Sequence, residues 1–468
     1  MIAAAFCDAS DRYPGRIAIV DGDRRITYAE LLRAAAHFRD RLRNEANIGR
    51  GDVVACLLDN SWQFAAAFFA ASSLGAIFVP WNPQWRDRES QELAGRLGLH
   101  AMILDRGKPA AWKPEGGHLL SAPSEFSKSA VLDCEPLSGD ATAAYLTTSG
   151  STGIPKIVPR SCRNLVDGAA NVTSALGMQP GKRLLSVVPF HHSNGFHNCL
   201  IAPLLHGATV IMQRGFTPQG CAALIRKEAA NVMIGSPFLF GLLADRVSDP
   251  ALMSSLDLCI SAGARMPEPT VERWLRKTGK RIRQLYGSTE TSVITIDCDD
   301  GAPSHPDAGV YVGKAIPGVE IRLVDGEITV RSPAVMSGYF GEKNEENFHE
   351  GFYRTGDSGY VTADGGVYLT GRLRRVINVA GVKVDPVEIE RVVEEIPGVS
   401  ACHADSVDGA HGASSIRVRL ALAPEVSVSR DAVVEHCRRR LAEYKLPRII
   451  EVCDQLPVTL SGKVRKEQ

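Results

Sequence analysis

No two cysteines in this chain stand in a C-x-x-C spacing, and the 11 that occur are scattered from Cys7 to Cys453. That scatter excludes a zinc site built on paired thiolates and offers no disulfide framework; reduced thiols and a cytoplasmic location are expected. An excess of one charge is also missing. The 53 basic and 53 acidic residues cancel, so no overall field draws the protein to nucleic acid or to an anionic membrane. Long apolar runs are absent as well. Asp8, Asp11 and Arg12 interrupt any signal-peptide core, and the most apolar helical stretch, Trp62 to Leu74, is broken by Gln63, Ser72 and Ser73. It is too short to span a bilayer and is expected as a buried core helix, with no integral membrane association. No fixed-period repeat or low-complexity tract is found.

What the chain does have is length enough for two or more cores, with 468 residues, 44% of them hydrophobic and 23% charged. A small molecule or a local patch is the expected partner. Helix-period and strand-like segments alternate through the first half, which predicts an α/β architecture. Thr27-Tyr-Ala-Glu30 reads as a capping box ahead of a helix carrying Leu31, Ala35, Phe38 and Leu42. Short apolar runs at Val53 to Leu58, Ala76 to Val79, Met102 to Leu104, Leu184 to Val188, Thr209 to Met212, Asn231 to Ile234 and Leu256 to Ile260 read as strands. From Glu327 to Leu369 strands alternate with Gly- and Asp-rich turns, which predicts a β-rich tail to the large domain. Beyond Arg372 a helix over Val387 to Val393, a strand over Arg417 to Leu422 and a basic amphipathic helix over Asp431 to Tyr444 predict a small α+β domain.

The segment Tyr145-Leu-Thr-Thr-Ser-Gly-Ser-Thr-Gly-Ile-Pro-Lys156 collects small hydroxyl residues, two glycines and one lysine. Gly150 and Gly153 let the backbone approach a ligand, Thr147, Thr148, Ser149, Ser151 and Thr152 supply hydroxyls, and Lys156 adds a point charge. A bare linker would need neither the apolar lead-in from Ala141 to Leu146 nor Pro155 at the exit. A P-loop would require Ser or Thr directly after a Gly-Lys pair, and every Gly-Lys pair here is followed by Pro, Arg, Ala or Val. Phosphate would be held in another way.

Further along come Tyr286-Gly-Ser-Thr-Glu290, Tyr353-Arg-Thr-Gly-Asp357, Gly371-Arg372, Gly381-Val-Lys-Val-Asp-Pro-Val-Glu-Ile-Glu390 and Leu456-Pro-Val-Thr-Leu-Ser-Gly-Lys463. With the first loop, and in this order, these motifs resemble the adenylate-forming superfamily of acyl- and aryl-CoA ligases, luciferases and peptide-synthetase adenylation domains. The resemblance runs from about Tyr28 to the C-terminus. It implies that an acid and ATP give an acyl-AMP and pyrophosphate, after which the acyl group passes to a thiol. ATP and Mg2+ are the implied cofactors, with CoA or the phosphopantetheine of a carrier protein as acceptor. A large domain over 1–373 and a mobile small domain over 374–468 are implied, hinged at Arg374, where relatives often carry Asp or Lys. A homodimer is compatible with this reading.

Residue roles follow from the same resemblance. The loop from Thr147 to Lys156 would wrap the β- and γ-phosphates, although Ile157 replaces a glycine common in relatives. Thr289 would contact the α-phosphate and Glu290 would hold magnesium, as hard oxygen donors suit a hard cation. Tyr286 and Gly287 with Gly263 and Ala264 would place adenine; Asp357 and Arg372 would take the ribose. Lys463 would reach the carboxylate and α-phosphate during adenylation, and Gly381 would face the pantetheine arm in the second step. In Pro189-Phe-His-His-Ser-Asn-Gly-Phe-His197, His192 matches the family's gate beside the carboxylate. His191 and His197 invite a metal reading, disfavoured because no acidic or cysteine ligand flanks them. His191, His192, Ser193, Phe196, Phe238, Ser261 and Ala262 are the expected acid pocket. Ser193 stands where amino-acid-activating relatives carry aspartate, so an aromatic or short-to-medium aliphatic carboxylic acid is expected. Loading of a carrier protein, a luciferase-like oxygenation and a catalytically silent nucleotide-binding protein remain as alternatives.

Overall fold

The computed structural model describes residues 1–105, 116–123, 125, 131–148, 155–298, 309–373, 376–409, 414–422 and 427–453. Thr27 caps the Tyr28–Ala46 helix as expected: its hydroxyl accepts from the Glu30 amide while the Glu30 side chain accepts from the Thr27 amide. The Trp62–Ser73 helix is buried around nearly its whole circumference, which its run of Phe and Ala requires. Phe64, Phe68 and Phe69 pack there with Phe6, Phe78 and Phe196.

Two sheets carry the first half. One runs, in spatial order, through His118–Ser121, Leu99–Leu104, Val53–Leu57, Ile77–Pro80, Thr142–Thr148 and Lys156–Ser161. Its strands are parallel except the last two, which form an antiparallel pair with Thr148 opposite Lys156. The segment between them, with Ser149, Gly150, Ser151, Thr152 and Gly153, lies outside the described residues. The other sheet has a parallel centre of Thr209–Met212, Arg183–Ser186, Val232–Gly235, Leu258–Ala262 and Ile282–Ser288. These strands are covered on both faces, hence their unbroken apolar runs.

The expected β-rich tail continues the second sheet, because Ser292–Ile296 pairs antiparallel with Ile282–Ser288 and hands on through Val310–Ala315 to Gly366–Arg372 and Phe352–Val361. All of them belong to one 14-stranded sheet. From Ile377 onward a separate apolar core forms around Ile389, Val393, Val418, Leu420 and Cys437. It is built on a Ile377–Val379/Val382–Val384 hairpin, the Pro386–Glu394 helix, a three-stranded sheet and the Arg430–Arg440 helix. That last helix stops short of the expected Tyr444, since Leu441 turns extended and its amide bonds back to the Cys437 carbonyl. Arg374 and Lys463 both lie outside the described residues.

Candidate active site

A cavity of about 760 Å3 opens where the two sheets and the small C-terminal unit meet. Thr147, Thr148 and Lys156 reach it from the antiparallel pair that flanks the phosphate-type loop. Lys156 Nζ donates to Glu342 Oε2 at 3.0 Å and stands 4.4 Å from the centre of the Tyr339 ring. The Tyr339 hydroxyl donates in turn to Glu290 Oε1 at 2.9 Å. Lysine, tyrosine and glutamate are thus tied together in one wall.

The Thr289–Glu290 stretch follows the Ile282–Ser288 strand and is held from behind by Arg160, which sequence reasoning missed. The Arg160 side chain is 1% exposed, and its Nη1 donates to both the Thr289 and Glu290 carbonyls at 3.1 Å. Burial lowers this guanidinium to about 10. The Glu290 charge acts against burial and favours the charged guanidinium. Its one sequence signal was an arginine directly after the apolar run Ile157-Val158-Pro159. Thr289 Oγ1 donates to Ser193 Oγ at 3.0 Å, joining the phosphate-side and acid-side expectations. One oxygen of Glu290 is taken by Tyr339, and the preceding residue, Thr289, brings a hydroxyl to the cavity wall. That oxygen-only donor set fits a hard divalent cation completed by phosphate oxygens and water. No group of three or more His, Cys, Asp or Glu able to hold a metal alone occurs among the described residues.

Asp357 and Arg372 lie opposite one another on paired strands, with Arg372 Nε 2.8 Å from Asp357 Oδ1. Asp357 Oδ2 accepts from the Tyr286 hydroxyl at 2.7 Å. Arg372 and Gly356 reach the cavity wall, whereas Asp357 stands behind it; the Tyr286 ring packs with Ile294, Val312 and Ile328 instead, and Ala264 is likewise off the wall. Strand alternation explains Tyr286, because its neighbours Leu285 and Gly287 are the ones turned to the cavity.

His191, His192, Ser193, Phe238 and Ala262 line the cavity as expected of the acid pocket, joined by Phe216, Leu239 and Ser236. Two expected lining residues do not. Phe196 is fully buried, 4.9 Å from Phe68 between ring centres, because it projects from its helix toward the core. Ser261 alternates with Ala262 on one strand and so points away from the cavity. Burial pushes His192 down to about 4 and, with the His192 ring beside it, drops His191 well below its ordinary value. Both imidazoles are neutral near pH 7. His197 Nε2 lies 3.0 Å from the Leu165 carbonyl oxygen, and Nδ1 lies 3.0 Å from Asn198 Oδ1 and 3.2 Å from Ser292 Oγ. With both nitrogens engaged it is a poor metal ligand.

The hairpin of the small unit enters from the other side. Ala380 and Gly381 at its tip have φ of 52° and 98°, the left-handed pair that a two-residue turn needs. Asn378 Oδ1 accepts from the Gly381 amide at 2.7 Å, and Asn378 Nδ2 donates to the Gly263 carbonyl at 2.6 Å. A Cβ on Gly381 would come within 3.2 Å of Ser236 Cβ. Lys383, two residues on, also lines the cavity, and burial lowers its ammonium, with Arg372 adding to the effect.

Comparison with known proteins agrees with this layout. Residues 6–340 match the family model described as "AMP-binding enzyme" and residues 388–463 that of the "AMP-binding enzyme C-terminal domain". A feruloyl-CoA synthase of Amycolatopsis sp. is 30% identical over 97% of this chain and 95% of its own length. The medium-chain fatty-acid–CoA ligase of Escherichia coli is 29% identical over 97% and 87%. Among solved structures, a double mutant of o-succinylbenzoate CoA synthetase from Bacillus subtilis, bound with its product analogue, matches with a TM-score of 0.89 at 26% identity, covering 98% of this chain and 97% of that one. Fold, site layout and sequence likeness together place the chain in the AMP-binding enzyme family.

Proposed function

We propose that this enzyme activates an uncharged aromatic or short-to-medium aliphatic acid and completes both of its chemical steps in the one cavity. The chain is an AMP-forming acid–thiol ligase of the acyl- and aryl-CoA ligase kind. In the first step a carboxylate oxygen bonds to the α-phosphorus of ATP, and the bond to the bridging oxygen breaks so that pyrophosphate leaves. In the second, a thiol sulfur bonds to the acyl carbon, the carbon–oxygen bond to AMP breaks, and the thiol proton is lost.

Negative charge converges in the first step, so the wall must present cations and donors. Thr147, Thr148 and Lys156, with Ser149 to Gly153 of the adjoining loop, serve the β- and γ-phosphates, and Thr289 serves the α-phosphate. Arg160 acts by fixing the two carbonyls behind Thr289 and Glu290. Magnesium, held by Glu290, would shield the leaving pyrophosphate. Asp357 and Arg372 receive the ribose hydroxyls. Neutral His192 borders the carboxylate, and Ser193, Phe238 and Ala262 contact the rest of the acid. Ser193 offers an α-ammonium no carboxylate at that position, and leaving such a charge unpaired in a buried pocket is costly. Lys463 supplies charge in the first step and the Gly381 turn lines the thiol's approach in the second, with the small domain swinging about a boundary between 373 and 374. Eleven free cysteines fit a reducing cytosol.

The carrying observation is that Lys156, Thr289–Glu290, Arg372, His192–Ser193 and Gly381, far apart in sequence, line a single cavity. Pyrophosphate release over a panel of aromatic and aliphatic acids tests the reading. Release should require ATP, magnesium and an acid together, and Glu290→Ala should raise the magnesium needed. Release without an acid, or undiminished by Glu290→Ala at limiting magnesium, refutes the assignment. Offering CoA and a phosphopantetheinylated carrier protein side by side then decides the acceptor.

A further inference from the structure

The seam between the large part and the small C-terminal unit contains a buried ionic cluster that the chemistry above does not use. Lys445 is 2% exposed, and its Nζ lies 2.7 Å from Glu89 Oε1 and 2.6 Å from Glu388 Oε1, on carboxylates that are 4% and 1% exposed. Glu89 belongs to the Asp87–Leu97 helix of the large part and Glu388 to the Pro386–Glu394 helix of the small one. Each glutamate is the third residue of its helix, so the ammonium sits between the first turns of two helices from opposite sides of the seam. Burial raises the Glu388 carboxyl to about 7, while Lys445 and the positive ends of the two helices favour negative charge at this point. Glu89 is fully committed, since its Oε2 accepts from the Arg86 amide at 3.0 Å. Other ion pairs across the seam, Arg86 to Glu443 and Arg88 to Glu395, are 3.6 Å apart and largely exposed, which makes them weak, while Arg86 Nε donates to the Leu441 carbonyl at 3.2 Å and Asn378 Nδ2 to the Gly263 carbonyl at 2.6 Å. The buried cluster weighs most in separating docked from undocked arrangements, because parting its partners leaves uncompensated charge.

We infer that Lys445, clasped by Glu89 and Glu388, is a positioning residue that holds the small domain in the orientation placing the Gly381 turn in the cavity, the orientation of thioester formation. The cluster borders the same cavity, through Lys445 and its neighbours Tyr444 and Asp385 facing Trp85 and Gln84. In a different orientation Glu388 would travel with Lys445, as both belong to the small domain, and only the Glu89 contact would break. Glu89 is thus the group that senses orientation.

This inference rests on the two-step reading, and Glu89→Gln tests it with little harm to the helix, because glutamine can keep the capping bond to the Arg86 amide. Acid-dependent pyrophosphate release should stay within about twofold of the unchanged enzyme, while thioester formation from supplied acyl-AMP should fall roughly tenfold, an ordinary size for a coupling of this kind. A merely structural role would lower both half-reactions in parallel, and that result overturns the inference, as does an unchanged second step. Hydrogen exchange supplies an independent reading. Amides in the first turns of both helices should exchange faster in Glu89→Gln than in the unchanged protein, and equal protection overturns the inference. If the unchanged enzyme makes no thioester with CoA, the acceptor assignment fails, and the exchange measurement still decides the fate of the cluster.

Discussion

At the scale of single residues, the cavity keeps its histidines neutral by withdrawing them from water, and this makes stability depend on pH. Burial brings His192 and His197 to about 4, against about 6.5 for an ordinary histidine. The unfolded chain therefore binds more protons than the folded one between those values, and stability is full above about 6.5 and is lost as pH falls toward 4. Each histidine can contribute roughly 3 kcal/mol over that span. Thermal unfolding followed from about pH 7.5 to about pH 4.5 should show a steep fall. His192→Asn should flatten part of it, and an identical slope in that variant means His192 is not among the groups responsible. These histidines were legible as residues of interest from their clustering, but their neutrality was not. It comes from burial by residues remote in sequence and, for His197, from the Arg160 charge as well.

At the scale of elements, the part of the acid wall after Ser193 is a π-helix, Asn194–Ile201, which no periodicity in the sequence announced. Such segments are rare and costly, and they persist where a site needs the extra residue per turn. Gly195 shows why the segment tolerates only a glycine there: a Cβ would stand 2.2 Å from the Pro189 carbonyl oxygen. Gly195→Ala should therefore destabilise the protein by about 1–3 kcal/mol, the usual scale for forcing one methyl into close packing. It should also raise KM for the acid by shifting His192 and Ser193. Thermal unfolding together with acid titration checks both effects; an unchanged melt removes the steric argument. Phe196 illustrates the same limit. Its place in the motif suggested the pocket, but the winding of the π-helix turned it into the Phe68–Phe78 core.

At the scale of the whole molecule, the proposed two-step reading gives the small domain one of two tasks at a time, and here its Gly381 turn is hydrogen-bonded through Asn378 to Gly263. Lys463→Ala should slow acyl-AMP formation by about 10² to 10³ while sparing thioester formation from supplied acyl-AMP. A bulky residue in place of Gly381 should do the reverse, because the turn needs φ near 98° and has Ser236 3.2 Å away. Measuring each half-reaction alone decides this: a parallel loss in both variants refutes alternation. Domain movement of this type gates successive steps in many enzymes.

The sequence by itself determined the alternating α/β layers, the capped Tyr28–Ala46 helix, the all-round burial of Trp62–Ser73 and the family, because each is written in local periodicity or in ordered motifs. It also singled out Lys156, Glu290, Asp357 and Arg372 as chemistry-bearing. Only the tertiary structure decided that Arg160 grips the backbone behind Glu290, that Ser261 turns away while Ala262 faces the cavity, and that Lys445 is shared by glutamates 299 positions apart, counted from Glu89 to Glu388. A buried charge looks like any surface charge in a sequence. Its partner is chosen by which helices the folded chain brings end to end, and that choice belongs to packing.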